Sequence, residues 1–202
     1  MSFIDYDLMA KTTDVRIVKT RRIIHSALIQ LLKTQPLADI SITELCSCAM
    51  INRKTFYMHY KSVEAAFSDI ETLTIDAYIT YLTKLGVINS RDFRPAEFIL
   101  ATNAIVNKNA DAFSTVYPYF KEGSFMRKFG AAIGTLAKNF VLDRPFESDP
   151  EAYAFSFIFT VSGLLTSYFD WIDFGKQLPI ERLSQMAANA LSIPLRTVLS
   201  SK

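Results

Sequence analysis

Between residues 41 and 60 the sequence SITELCSCAMINRKTFYMHY carries two helix-start signals only 11 residues apart, so both helices that follow must be short. Ser41 and Glu44 form a capping box, each side chain satisfying a free backbone N–H, and the spacing predicts a helix from Ile42. Ile42, Leu45 and Ala49 then share one side at helical period. Asn52 is a second N-cap. The helix it opens begins Arg53, Lys54, Thr55, with Phe56 and Tyr60 four apart as its buried face. Arg53 and Lys54 are left outward. A helix from Arg53 to about His59 falls well short of the roughly 12 residues at which isolated helices become marginal in water, so packed neighbours must hold it.

The outward residues have a common chemistry. Arginine forks onto O6 and N7 of guanine, while the hydroxyls of Thr55 and Tyr57, the ring of His59 and the ammonium of Lys61 can reach phosphate oxygens. A solvated amphipathic pair inside some other bundle explains any one of these features. The tight turn, the outward cations and the interleaved aromatics together point to a helix placed in the DNA major groove.

Charge distribution agrees. The formal net charge of +2 divides unevenly: residues 1–61 hold 9 basic and 5 acidic side chains (+4), leaving 13 and 15 (−2) for residues 62–202. A basic bias on the segment with the paired helices is what phosphate neutralisation requires. Lys11, Arg16, Lys19, Arg21 and Arg22 add to it, as an arm or as the start of helix one. The 202 residues, 50% of them hydrophobic, suffice for a small head and a larger domain with a sizeable core.

Residues 20–67, and above all INRKTFYMHY from Ile51 to Tyr60, resemble the DNA-binding domain of the TetR family of transcriptional regulators. The resemblance implies an N-terminal arm over 1–19, a three-helix head over 20–66 and a helical regulatory and dimerisation domain over 67–202. Its helices would run near Thr20–Lys33, Ile42–Cys48 and Arg53–His59, with a fourth after Ser62. It further implies that Arg53 and Lys54 face base edges, that Thr43 lies near the groove, and that Thr55, Tyr57 and His59 clamp phosphates. Two positions depart from the family pattern. Met50 stands where glycine is usual, so a positive φ there would carry strain of about 1 kcal/mol. Val63 stands where many members place lysine, leaving only backbone amides and the helix dipole for a phosphate.

The rest of the chain reads as all-helical, with no strand alternation and no internal repeat. Helices are expected over Val63 to about Leu85, from Pro95, over Asp111–Phe120 and over Ser124–Leu142. After the Pro145–Pro150 linker a long helix runs from Pro150, capped by Asp149, to Gly175, and a last one opens at Pro179. Ala152–Phe169 has 18 residues without a charge, the minimum length of a membrane span. Its serines, threonines and Gly163 thin its apolar character, Glu151, Asp170 and Asp173 bracket it, and no basic cluster flanks it, so no membrane is expected. Such a helix must be buried nearly all round, which asks for a partner subunit.

This body also resembles the TetR regulators of the dihydroxyacetone kinase type, through NKNADAF near residue 107 and the run SGLLTSYFDWIDFG before a Pro-Ile-Glu-Arg helix. The resemblance implies a homodimer through the last two helices, with Phe155, Phe159, Gly163, Trp171, Leu183, Met186 and Leu191 at the interface. It implies a small-molecule effector as well. Tyr78, Phe98, Phe113, Tyr117, Phe120 and Phe159 are candidate pocket walls, although each taken singly reads better as ordinary helical core. The function expected is sequence-specific binding of a double-stranded operator by a cytoplasmic dimer.

Other classes fit less well. Cys46 and Cys48, two apart on a helix, match neither a disulfide nor a tetrahedral metal spacing, and His25, expected on the flank of helix one, and His59 are the only histidines. No metal or cofactor is expected. A Gly-rich phosphate loop, a His-based triad and a serine elbow are all missing, which argues against an enzyme. The remaining alternative keeps the fold without DNA binding and acts by docking another protein.

Overall fold

The computed structural model describes residues 14–87, 95–142 and 150–175, with positions 178, 179, 182, 183, 185, 186 and 189. Among these residues every regular element is helical: α1 (Val15–Leu31), α2 (Ile42–Cys48), α3 (Arg53–Tyr57), α4 (Val63–Lys84), α5 (Pro95–Lys108), α6 (Ala110–Glu122), α7 (Phe125–Leu142) and α8 (Pro150–Asp173). Residues 1–13 of the expected arm, the linker between Asp143 and Asp149 with its Asp149 cap, and most of the helix after Pro179 lie outside the described residues. One difference in the described part is the start of α1, which begins at Val15 rather than at Thr20. Asp14 caps it by accepting the Arg16 N–H at 2.8 Å, so the apolar run is helical from its first residue.

The two central caps form as the local sequence dictates. Ser41 Oγ accepts the Glu44 N–H at 3.1 Å and Glu44 Oε2 accepts the Ser41 N–H at 2.9 Å. The Ser41 hydroxyl, donating to Glu44 Oε2 at 2.7 Å, and the Ser41 N–H together hold the Glu44 carboxyl below the usual carboxylate range. Asn52 Oδ1 accepts the Thr55 N–H at 2.7 Å and starts α3. Between the two helices the chain turns at Met50, whose φ of 53° lies in the left-handed region. The Ile51 N–H donates to the Cys46 carbonyl at 3.0 Å and closes that turn.

By its contacts the chain divides into two compact units. The first contains the described residues up to Ala77 together with Asn109–Phe125; the second contains Tyr78–Lys108 and the described residues from Met126 onward. In the first, α1 packs on α2 and α2 on α3, over a core in which Ile24, Leu28, Leu45, Phe56 and Ile70 are fully buried. Helix α6 belongs to this unit. Phe67 meets the Tyr119 and Phe120 rings at 5.5 and 6.0 Å, and Phe120 stacks on Phe125 at 4.1 Å. The Leu37 N–H donates to the Tyr119 hydroxyl at 3.2 Å, and the Ser124 hydroxyl donates to the buried Glu71 carboxylate.

In the second unit the Tyr78 ring packs against Phe98 and Phe129 at 6.5 and 6.1 Å, and Leu82, Ile99, Ile133, Val161 and Tyr168 are buried. No helix among the described residues is long and apolar enough to cross a membrane.

The Met50 turn supplies a direct test of the left-handed backbone. Its side chain is 91% exposed, so substitution there changes backbone energetics and little packing. Met50→Val should lower unfolding free energy by about 1 kcal/mol or more, because a β-branched residue is strained at positive φ. Met50→Gly should leave it unchanged or slightly raise it, as measured by denaturant melts of both variants.

Candidate nucleic-acid interface

Helix α3 has an apolar back and a polar outer side. Phe56 is fully buried, its ring 6.0 Å from that of the buried Tyr60. On the opposite side Arg53, Lys54 and Tyr57 are exposed, as are Thr43 on α2 and Lys61 beyond α3. Lys54 and Lys61 form no ion pair among the described residues. The neighbouring Tyr57 hydroxyl favours the charged form of the Arg53 guanidinium. Thr55 differs: it is half-buried, and its hydroxyl already donates to Asn52 Oδ1 at 3.0 Å, so a phosphate contact from it requires leaving the cap. His59 is half-buried too, and burial and the nearby Arg21 charge lower its pKa.

Behind this surface four polar side chains meet. Asp69 on α4 accepts from the Tyr60 hydroxyl at 2.6 Å and from Arg21 Nε at 2.9 Å, and the Arg21 terminal nitrogen contacts both carboxylate oxygens. His25 Nε2 lies 2.7 Å from the Tyr60 oxygen and 3.2 Å from the Asp69 carboxylate. Since the single Tyr60 proton goes to the carboxylate, the geometry assigns the proton between His25 and Tyr60 to Nε2. Burial works against the Asp69 charge, yet the donors His25, Arg21 and Tyr60 outweigh it and hold the carboxyl far below its ordinary range. Burial lowers the His25 pKa despite the carboxylate beside it.

Three sequence expectations change here. His25 is fully buried and does not sit on the flank of α1, because its ring nitrogen has this hydrogen-bonding partner inside. Arg21 is turned toward Asp69, so its charge is spent internally, whereas Arg16, Lys19 and Arg22 stay exposed and Lys11 lies outside the described residues. Val63 is buried at 4% exposure, so the position matched to the family's lysine faces the core. A lysine there would disturb packing before it met a phosphate. Arg16, Thr20, Arg21, Thr55, His59 and Asp69 also border a groove of about 760 Å³ beside α3.

The six proposed ligand-wall residues divide between the two units. Phe113, Tyr117 and Phe120 are buried in the first unit, where Phe113 lies 6.4 Å from each of the other two rings. Tyr78, Phe98 and Phe159 belong to the second unit, and Phe159 is exposed. There the Tyr78 hydroxyl donates to Thr102 Oγ1 at 2.8 Å, since the Thr102 hydroxyl donates to the Phe98 carbonyl at 2.8 Å. Nearby, the buried Tyr168 hydroxyl has no hydrogen-bond partner among the described residues. Sequence reading missed that residue.

The proposed interface residues are also mixed. Phe155 and Phe159 are 71% and 67% exposed and stack on each other at 6.3 Å, and a Cβ added to Gly163 would meet open space. Met186 is exposed. Trp171 is half-buried, its indole N–H donating to the Leu178 carbonyl at 2.7 Å. Leu183 is already buried by its own chain, and Leu191 is outside the described residues. Cys46 and Cys48 are both free thiols.

The Arg21–His25–Tyr60–Asp69 cluster went unread because its members are far apart in sequence; the single hint was the helical spacing of Arg21 and His25. No family model matches the chain, and no curated protein matches it.

Stability should depend on pH through the only two histidines. Both pKa values are lowered on folding, so the unfolded chain binds protons first as pH falls through the ordinary histidine value near 6.5. Stability is therefore fully present above about pH 6.5 and is lost below it, with a slope of at most about 1.4 kcal/mol per pH unit for each histidine. Melting temperatures from pH 7.5 to 5 should fall for the natural chain and fall less for His25→Gln, whose side chain does not titrate.

Proposed function

We propose that this protein is a sequence-specific DNA-binding transcriptional regulator of the TetR type, acting as a homodimer on a palindromic operator. The observation that carries this reading is α3: a capped five-residue helix whose Phe56 is fully buried while Arg53, Lys54 and Tyr57 face outward together. Arg53 and Lys54 read base edges; Tyr57, His59 and Lys61 hold phosphates, with Thr43 at the groove and Thr55 chiefly a capping partner. A fixed pairing of two subunits spaces the reading helices by one turn of duplex, about 34–36 Å.

The exposed Phe155–Phe159 stack supports pairing through α8. Two adjacent aromatic rings at this exposure form an apolar patch that a second copy would cover, and Gly163 on the same side allows close approach of a facing helix. In the second unit the buried Tyr168 hydroxyl, without a hydrogen-bond partner among the described residues, supports a small-molecule effector with a polar group to satisfy it. Such an effector changes operator affinity only by its difference in binding free energy between competent and incompetent states.

Selection of duplexes from a random pool by the purified protein tests the reading. A palindromic consensus should emerge. Arg53→Ala should cost about 1–3 kcal/mol at one base position per half-site and relax the preference there, while Tyr57→Phe should weaken all sequences alike. Phe155→Glu with Phe159→Glu should yield monomers by sedimentation and remove the palindromic preference. Recovery of no preferred duplex at low salt would refute DNA reading and turn attention to a protein partner.

A further inference from the structure

We propose that Asp69 is the positioning residue of the DNA-reading helix: its carboxylate on α4 fixes the exit of α3 through Tyr60, while Arg21 and His25 of α1 hold that carboxylate in place. The inference rests on the DNA-binding reading above and concerns how the reading surface keeps its register.

Helix α3 is too short to orient itself. Its last backbone bonds run from the Met58 N–H to Lys54 O at 3.1 Å, and from the His59 and Tyr60 N–H groups to Phe56 O at 2.9 and 3.0 Å. Fixing Tyr60 therefore fixes the final turn, and with it the direction in which Arg53, Lys54 and Tyr57 project. The Phe56–Tyr60 ring contact alone would not do so, because apolar burial is non-directional and permits sliding. A hydroxyl donating to an ionised carboxylate at 2.6 Å prescribes both length and direction.

The carboxylate is itself constrained. Arg21 contacts both of its oxygens, and His25 Nε2 lies 3.2 Å from Oδ2, the oxygen that also accepts from Tyr60. α1, the end of α3, and α4 thus converge on one ionised group. Asp69 is not among the exposed reading residues, so it acts on DNA only through Tyr60.

The test uses the full chain with Tyr60→Phe, which removes one oxygen, and Asp69→Asn, which keeps the shape and removes the charge. Each should lower the affinity ratio of selected over scrambled duplex about tenfold, about 1.4 kcal/mol. Binding of scrambled duplex at low salt, and its salt dependence, should stay as in the natural chain. Hydrogen exchange at the Met58, His59 and Tyr60 amides should quicken about tenfold, the same factor of about 1.4 kcal/mol, with Ile24 and Leu28 unchanged. The double variant should be no worse than either single one, since both break the same link.

Natural exchange rates at those three amides in both variants would overturn the proposal. So would an equal loss of selected and scrambled binding with faster exchange at Ile24 and Leu28, which marks Asp69 as a general stabiliser. If Asp69→Asn fails to fold, Tyr60→Phe decides alone. If the natural chain prefers no duplex, the DNA-binding reading fails separately, and the local exchange rates still accept or reject the positioning role.

Discussion

A helix of five residues cannot exist in water unless something behind it holds it, and everything else about this head follows from that constraint. The first support is apolar: Phe56 gives up all its exposure to the first unit's core, worth about 1.5–3 kcal/mol for a side chain of that size. The second is the pair of caps at Ser41 and Asn52, each worth roughly 1 kcal/mol, which satisfy backbone donors at the helix starts. Neither fixes orientation. The polar junction of Tyr60, Asp69, Arg21 and His25 adds direction to a contact that would otherwise slide.

That junction is costly to keep. A partly buried carboxylate is tolerable only with its donors present, and removing one partner of a buried charged group costs more than the pair contributes over an apolar replacement. Its members come from α1, the segment just after α3, and α4, so the charge ties the exit of α3 to both of those helices. The outer side of α3 keeps its cations exposed while Arg21 is consumed within. Charge counting alone therefore overstates the cationic surface: the first 61 residues carry +4, but one of their arginines faces an internal carboxylate.

Much of this was legible in the sequence where the signals are local. The capping box at Ser41, the cap at Asn52 and the Phe56–Tyr60 spacing each depend on residues within a few positions, and each forms as the spacing predicts. The all-helical character and most helix limits follow from the same short-range rules. What escaped depends on long-range pairing: burial of His25, inward rotation of Arg21, and burial of Val63 all arise from side chains brought together across tens of residues. The aromatic residues of the body show the same limit. Period and composition mark them as apolar, but not that Phe113, Tyr117 and Phe120 fall in one unit while Tyr78, Phe98 and Phe159 fall in the other.

On the proposed reading, the division of labour is spatial. A rigidly backed helix discriminates bases, exposed hydroxyl and ammonium groups hold the duplex, and the aromatic stack on α8 supplies the pairing that doubles the reading surface. The most direct measurement is methylation interference at guanine N7 on a selected duplex, because that atom lies in the major groove. Two clusters of interference about one helical turn apart, both lost with Arg53→Ala, are the predicted result. Interference absent from guanine N7, or confined to the minor-groove N3 of adenine, would contradict a major-groove helix at Arg53.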